Sequence, residues 1–193
     1  MQKKIWGNNK GFSLMELIVA VLIIAIISGG SMIALGSLFS NKMTAAAKSV
    51  QDGLKQARVD GLGMKNEYDS STQRTGIYAK FYKSGSELYV DVCVKNGSST
   101  AEVLHTRKIA DDTYGLELWK NGATTSIATV GASDIYVYFK KSTGAISSIY
   151  KVNAGDDVSS GEDVDANIFR VVGPGTDHQD VIMVTVTGRC YID

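Results

Sequence analysis

Residues 11–28 read GFSLMELIVAVLIIAIIS, and the interpretation of the whole chain depends on this stretch. Beyond Glu16 there is no charged residue from Leu17 through Ser40. A run of about 20 apolar residues is long enough to cross the hydrocarbon core of a bilayer as a helix. The sequence therefore predicts a transmembrane helix. The lysines that precede the run favour the cytoplasmic side, so everything after Ser40 is predicted to lie outside the cytoplasm.

The segment ahead of the apolar run is short, polar and basic, with lysines at positions 3, 4 and 10. An ordinary secretory signal has a shorter apolar stretch, with a small-residue cleavage site after it. Here the only candidate junction, Gly11–Phe12, comes before the apolar run. Cleavage there would remove the leader and leave the helix on the mature protein, whereas an uncleaved chain would be a plain N-terminal anchor.

Glu16 stands near the start of the apolar segment, where an ionised carboxylate is costly and normally has a partner. Cleavage after Gly11 would create a positive amine on Phe12, about one helical turn away. The carboxylate also lies near the positive end of the helix dipole. In a helical filament, Glu16 of one subunit would meet the amine of a neighbour and set the axial register. A buried pair of this kind favours specificity of assembly more than stability.

The leader, the Gly11–Phe12 junction, Glu16 and the apolar helix, in this order, resemble the class III signal of type IV prepilins and type II secretion pseudopilins. The resemblance covers residues 1–50 closely. It implies that a prepilin peptidase cuts after Gly11 and methylates the Phe12 amine. It also implies a structural subunit that rests in membrane lipid and then joins other pilin or pseudopilin subunits on an inner-membrane assembly platform. The resulting filament would lie at the cell surface or in the periplasm.

The apolar helix departs from many members of this family because it has no proline within it, and Gly29–Gly30 interrupts the run instead. Paired glycines weaken a helix by about 1 kcal/mol each relative to alanine. They are therefore candidates for a soft point at which the helix melts on assembly. Close packing of helices through these small residues is the alternative, and the sequence leaves both open.

After Lys42 the apolar residues recur only every three or four positions and so form a narrow stripe along one side of a helix. This spacing is typical of an amphipathic helix that packs on a domain. Glycines at 61 and 63 predict its end near Leu62. The predicted organisation is therefore a leader (1–11), a transmembrane and filament-core helix (12–40), an amphipathic continuation (41–63) and a head (64–193). The residues of the stripe are Met43, Ala47, Val50, Leu54, Ala57 and Leu62.

From Thr75 onward the apolar residues alternate with a period of two, which predicts strands. Turn signals separate them, among them Asn121–Gly122 and residues 142–144. A long helix followed by short alternating strands predicts an α+β fold, with one or two antiparallel sheets against the helix. The predicted strands are 77–82, 88–95, 103–109, 115–119, 126–130, 135–139, 145–150, 168–172, 181–186 and 189–192.

Three short pieces of the head refine the resemblance. The helix end Leu54–Asp60, the turn Thr143–Gly144 and the closing hairpin at Thr187–Gly188–Arg189 resemble the GspH/FimT-type minor pseudopilins. A major-pilin head is the alternative.

A DNA-uptake or adhesive pilin that binds a ligand through its head is a second functional hypothesis. DNA-binding relatives of the FimT kind end in a Gly-Arg-rich hairpin, but Arg189 is the only arginine of this one. A single arginine neutralises too little phosphate for strong affinity, and the 20 basic residues are balanced by 20 acidic ones. The sequence therefore disfavours DNA as a partner.

The two cysteines, Cys93 and Cys190, are too far apart in sequence for a CxxC or zinc pattern. Outside the cytoplasm they can form one disulfide. Two independent buried thiols are the alternative, and both remain open.

Five carboxylates lie close together in sequence: Asp156, Asp157, Glu162, Asp163 and Asp165. Closely spaced carboxylates suit a calcium ion, so they are weak metal candidates. The EF-hand spacing is absent, and a solvated flexible loop is the favoured interpretation. His105 is predicted to lie in a strand and His178 in a loop. Since no P-loop, dinucleotide fingerprint or nucleophile elbow occurs, we predict neither an enzyme activity nor a cofactor.

Overall fold

The computed structural model of the protein describes residues 13–63, 76–95, 100–154, 156 and 158–193, without the side chains of residues 29–37 and 159. The leader, the Gly11–Phe12 junction and Asp157 lie outside the described residues. The chain divides into two compact units, Met1–Leu38 and Phe39–Asp193.

A single helix, α1, runs from Leu14 to Gly63 and has 50 residues. It continues through Gly29 and Gly30 in helical conformation, so their role as a soft point or as a packing surface stays a prediction. In the first unit the apolar side chains of α1 from Leu14 to Ile27 are exposed. No helix within the described residues is both long enough and apolar enough to cross a membrane.

In the second unit α1 packs one face into the core of the head. The buried positions follow the spacing of an amphipathic helix, and the helix ends one residue beyond Leu62. Gly53 lies so close to the sheet that an added Cβ would be 2.8 Å from Val90 Cγ1. The buried residues of this face are Met43, Ala46, Ala47, Val50, Leu54 and Ala57.

The strands that follow α1 alternate between buried and more exposed positions, as strands covered on one face do. Their bounds are β1 (Gly76–Ser84), β2 (Glu87–Lys95), β3 (Glu102–Asp111), β4 (Gly115–Trp119), β5 (Ala128–Thr129), β6 (Ser133–Phe139), β7 (Ile146–Asn153), β8 (Glu162–Asp163), β9 (Ile168–Val172), β10 (His178–Val184) and β11 (Arg189–Ile192). A short 3-10 turn lies at Val158–Ser160.

These strands form two antiparallel sheets. The six-stranded sheet has the order β3-β2-β1-β6-β7-β8, and the five-stranded sheet has the order β11-β10-β9-β4-β5. The inner faces of both sheets and the buried face of α1 share one apolar core. At its centre the rings of Phe81 and Phe169, one from each sheet, have centroids 4.4 Å apart. The predicted α+β fold with antiparallel sheets is confirmed.

Most predicted strands differ from the structure by a few residues at their ends, and three places differ in a way that has a physical reason. The strand β10 begins at His178 instead of Val181, because Gln179, on the same side of the strand as the buried Val181, is polar and interrupts the alternation. The predicted strand 126–130 is reduced to the two residues of β5. The strand β8 was not predicted at all, because it pairs through its backbone with Tyr150 and Lys151 and has no apolar pattern of its own.

The outer face of the six-stranded sheet carries a second, smaller cluster of buried side chains. It is rich in tyrosine, and the polar side chains of Lys80, Asp91 and Asp134 lie on the same face by the alternation of their strands. Its members are Tyr78, Cys93, Tyr136, Tyr138, Tyr150, Val152 and Val158.

Candidate processing and assembly site

The N-terminus of α1 is capped by two reciprocal hydrogen bonds between Ser13 and Glu16. The backbone N–H of Ser13 donates to Glu16 Oε2 over 3.0 Å, and the backbone N–H of Glu16 donates to Ser13 Oγ over 3.3 Å. This arrangement is a capping box, which satisfies two backbone donors at a helix N-terminus. The capping box was not predicted from the sequence, although its signal, a serine three residues before a glutamate ahead of an apolar run, is present at residues 13–16.

The cap fixes where the carboxylate of Glu16 lies. It is held in the first turn of α1, where the helix dipole favours a negative charge. One backbone hydrogen bond uses only part of the acceptor capacity of a carboxylate. Capping within the chain is therefore compatible with a further contact from a positive amine.

An exposed apolar surface begins directly after the cap. Its polar exception, Ser28, donates its hydroxyl to Ile24 O over 2.7 Å and so satisfies itself within the helix. A contiguous apolar surface of this kind marks a contact with lipid or with another protein. Its large residues are Leu14, Met15, Leu17, Ile18, Val19, Val21, Leu22, Ile23, Ile24, Ile26 and Ile27.

In the head, the three motifs behind the second resemblance meet at one place, the motif junction, formed by Arg58, Gly144, Thr187 and Gly188. Arg58 Nε donates to Thr187 O over 2.9 Å. A Cβ on Gly188 would lie 1.7 Å from Gly144 O, so the two turns touch backbone to backbone. Gly188 also has a φ of 63°, which favours glycine. The structure thus joins pieces that the sequence offered only separately.

In the structure the two cysteines are free and buried, as in the alternative of two independent thiols. The reason is their placement: Cys93 belongs to the tyrosine-rich cluster on the outer face of the six-stranded sheet, and Cys190 belongs to the main core. Burial raises the pKa of each thiol to about 11. For Cys190 the nearby charges of Lys55 and Arg58 oppose this rise. Such thiols are unreactive at neutral pH.

The carboxylates of the acidic segment that the structure describes do not converge on a common point. Glu162 pairs with Lys151 at 2.9 Å, and Asp165 pairs with Lys120. In the described part of the chain, no group of three or more histidine, cysteine or acidic side chains is placed to hold a metal ion. The interpretation of the segment as one flexible loop is corrected at β8, where Glu162 and Asp163 lie in a strand.

The two histidines lie on strands. His105, on β3 as predicted, is exposed and its Nε2 is 3.6 Å from Asp60 Oδ2. His178 begins β10, which corrects its predicted loop placement.

A group of polar side chains on the outer face of the six-stranded sheet was not singled out from the sequence. Lys80 Nζ lies 3.0 Å from Asp134 Oδ2. Asp91 is only 8% exposed, and its Oδ1 is buried without a hydrogen-bond partner. Burial, the charge of Asp91 and a hydrogen bond to it raise the pKa of Tyr82 to about 12. The signal that was overlooked is a charged residue on each of three strands that otherwise alternate regularly.

Comparison with known proteins bears on the N-terminus alone. Residues 6–32 match the family described as the prokaryotic N-terminal methylation motif. No curated protein and no solved structure matches the chain significantly. The match supports the resemblance to type IV pilins and pseudopilins, and it indicates a type IV pilin-like protein processed by prepilin peptidase. The GspH/FimT likeness of the head has no such support.

Proposed function

We propose that the chain is a structural subunit, a minor pilin or pseudopilin, of a type IV pilus-like filament. The observation that carries the proposal is the methylation motif at residues 6–32, whose helical part exposes its large apolar side chains from Leu14 to Ile27. The subunit would first rest in the membrane by this helix, with its head outside the cytoplasm. It would then pass into the filament with the same helix in the filament core.

The capped start of α1 supports a specific role for Glu16. Cleavage after Gly11 would leave a single residue, Phe12, before the Ser13 cap. The new amine and the carboxylate of Glu16 would then lie within about one helical turn. We propose that Glu16 holds its own helix end through Ser13 and also accepts the methylated amine of a neighbouring subunit, which sets the register.

The test of this function is the chemical state of the N-terminus in filament material. Filaments are sheared from cells and their subunits are analysed by mass spectrometry of the N-terminal peptide. The expected peptide begins at Phe12 and carries one methyl group on its amine. A bulky Gly11→Leu variant should keep the leader and stay out of filaments. Filament subunits that begin at Met1 would contradict the proposal.

A DNA-binding or adhesive head is the second candidate. The sequence disfavours DNA because Arg189 is the only arginine of the closing hairpin, but one structural observation favours it. Arg189 is exposed beside a turn that Arg58 contacts, and Lys55 and Arg58 both act on the pKa of Cys190. Three cations and one carboxylate, that of Asp52, therefore lie around the closing hairpin. A gel-shift titration of the full chain in detergent, with Arg189→Ala as the paired variant, tests this. Equal absence of binding by both proteins at low salt would exclude DNA.

A further inference from the structure

The end of the second unit at which α1 begins, here called the acidic end, is formed by α1 and two turns between strands. Tyr114, in the turn between β3 and β4, donates its hydroxyl to Phe39 O over 3.4 Å. In the turn between β9 and β10, a Cβ on Gly173 would lie 3.3 Å from Met43 Sδ. Each turn brings carboxylates to this end, and they are Asp111 and Asp112 in the first and Asp177 in the second.

Strand β7 ends at the same end of the head. Its last residue, Asn153, pairs with Ser133, the first residue of β6. The last residue of β6, Phe139, lies far from there, beside Gly61 near the end of α1. The turn after Asn153 carries the exposed Asp156 and adds a further carboxylate to the acidic end.

The opposite end, here called the basic end, consists of the motif junction and the turns around it. The turn between β6 and β7 and the turn between β10 and β11 touch there backbone to backbone. Arg58 is held between them, because its Nε donates to Thr187 O and lies 3.0 Å from where a Cβ on Gly144 would be. One such bond leaves the other N–H donors of the guanidinium for further contacts. The cations of this end are Lys55, Arg58, Lys140, Lys141 and Arg189.

The carboxylates of α1 near the basic end have partners of their own. Asp52 Oδ2 is 3.5 Å from Arg107 Nη1. Asp60 accepts hydrogen bonds from Gln56 and lies 3.6 Å from His105 Nε2. These contacts weaken the negative charge that Asp52 and Asp60 present to the basic end, which therefore keeps an excess of positive charge.

The lysines at the acidic end are fewer than its carboxylates. Lys108 is bonded to Glu87, so this pair adds no net charge. Lys42 on α1 and Lys83 on β1 are the other lysines of the elements that meet there, against the four carboxylates of the three turns. The chain as a whole is neutral, but its head has charges of opposite sign at its two ends.

The two ends are too far apart to neutralise each other. Met43 and Arg58 are separated by about 22 Å along the helix, at a rise of 1.5 Å per residue. The Debye length is about 8 Å at physiological ionic strength, so salt screens the attraction between the ends of one head. Each end is therefore free to pair with an opposite charge on another molecule.

We propose that the basic end of one copy of this chain docks on the acidic end of a second copy, so that successive heads stack end to end along α1. The occupant is a second copy because this chain supplies both of the complementary surfaces. Since the two surfaces differ, the contact is head-to-tail, and it can continue into an open filament without closing on itself. The inference rests on the proposed function, in which copies of the subunit repeat along a filament.

DNA is the other occupant that the cations of the basic end would suit. It would leave the acidic end without a role, whereas stacking uses both ends. Exposed ion pairs add little stability each, but complementary charge fixes which surfaces meet and in what orientation. The charged ends therefore determine the stacking of heads, while the apolar surface of α1 in the first unit supplies the affinity of assembly.

The experiment is cross-linking of the full chain, in membranes and in sheared filaments, through one cysteine at each end. Thr113→Cys and Ser142→Cys replace exposed, uncharged residues in a turn of the acidic end and a turn of the basic end. The native cysteines are buried and unreactive. Because the two new thiols are too far apart to react within one chain, a short bismaleimide should produce a ladder of dimers, trimers and higher multimers. Either single variant should remain monomeric, and so should Glu162→Cys combined with Ser142→Cys, since β8 lies at neither end.

Reversal of charge tests whether the ends pair by their charge. In the two-cysteine chain, Lys140→Glu with Lys141→Glu should lower the cross-linked fraction about tenfold, as the loss of two exposed ion pairs would. Adding Asp111→Lys with Asp112→Lys reverses the other end as well and should restore the ladder. Lys151→Glu, on β7 and at neither end, is the matched control and should leave the ladder unchanged. A ladder that persists after reversal of the basic end alone would overturn the proposal.

The N-terminal peptide of the same samples separates this inference from the proposed function. Subunits that begin at Phe12, are present in filaments and give no ladder would overturn the stacking of heads and leave the filament function intact. Subunits that keep Met1 and give no ladder would overturn the filament function and this inference with it.

Discussion

The two compact units of the chain place their apolar side chains in opposite environments. Ile26 in the first unit is 67% exposed, whereas Ile135 in the head is fully buried. The head buries its apolar residues in a core formed by α1 and two sheets. The first unit has no such core in the described residues and leaves its apolar surface to be covered from outside.

Because of this difference, the two units give different information about function. An apolar surface that stays exposed in the isolated chain marks a contact with lipid or with other subunits. A satisfied core specifies a fold and no partner. The function of assembly is therefore assigned to the first unit, and any function of the head must come from particular side chains, such as the charged ones at its two ends.

The largest expected effect comes from removing the carboxylate of Glu16. Glu16→Ala should lower incorporation into filaments roughly a hundredfold or more, since loss of one partner leaves a buried charge unpaired. Membrane insertion should be unchanged, because it depends on the apolar surface. The measurement compares the amount of subunit in sheared filaments with the amount in membranes.

Glu16→Gln separates the capping contact that the structure shows for this residue from the register role that is proposed for it. Glutamine can still complete the capping box, but it cannot neutralise an amine. If Glu16 sets the register by charge, this variant fails to assemble just as the alanine variant does. Normal assembly of Glu16→Gln would reduce the role of Glu16 to capping.

The next effect concerns the head alone. Phe169 is fully buried against Phe81, so Phe169→Ala should lower the free energy of unfolding by about 3–5 kcal/mol. Thermal unfolding of the detergent-solubilised chain measures the loss, and Val186→Ala, at a position 81% exposed, is the control without effect. N-terminal processing should remain normal in both variants. A processing defect in Phe169→Ala would show that the two units are not independent.

The extent to which sequence predicted structure also differs between the units. The apolar run and the Ser13–Glu16 spacing are local signals; the helix was predicted from the first, and the cap, which was missed, was open to prediction from the second. Most strands of the head were also predictable, because alternation is local too. The failures at β8 and at the start of β10 lie where pairing depends on a neighbouring strand and not on the strand's own residues.

The candidate sites of the head were beyond the sequence for the same reason. Asp91 and Asp134 are far apart in the chain, and only the strand order β2-β1-β6 brings both beside Lys80. The distance between the cysteines was likewise undecidable, because it depends on the sheet to which each strand belongs. Pairing in space is set by topology, which local periodicity does not contain.

A smaller effect is expected at the motif junction. Gly188→Ala introduces a Cβ at 1.7 Å from Gly144 O and should cost more than about 2 kcal/mol of unfolding free energy. Gly85→Ala is a matched control, because Gly85 has a φ of 60° and no atom within 4 Å of an added Cβ. It should lose only about 1 kcal/mol, from the backbone conformation. Equal losses in the two variants would show that the backbone contact is not formed.

The smallest effect is expected at the cap itself. Ser13→Ala removes the acceptor for the Glu16 N–H and should cost about 1 kcal/mol, while Ser13→Asp keeps a side-chain oxygen and should cost little. Hydrogen exchange of the Glu16 amide should be about fivefold faster in the alanine variant, which corresponds to that free energy. Ser28→Ala is the control, because its hydroxyl bonds to a carbonyl that the helix already uses.

Since capping and pairing both act through Glu16, Ser13→Ala should also reduce assembly, by less than Glu16→Ala does. Full assembly with faster exchange would show that the register depends on the charge of Glu16 and not on how firmly its helix end is held.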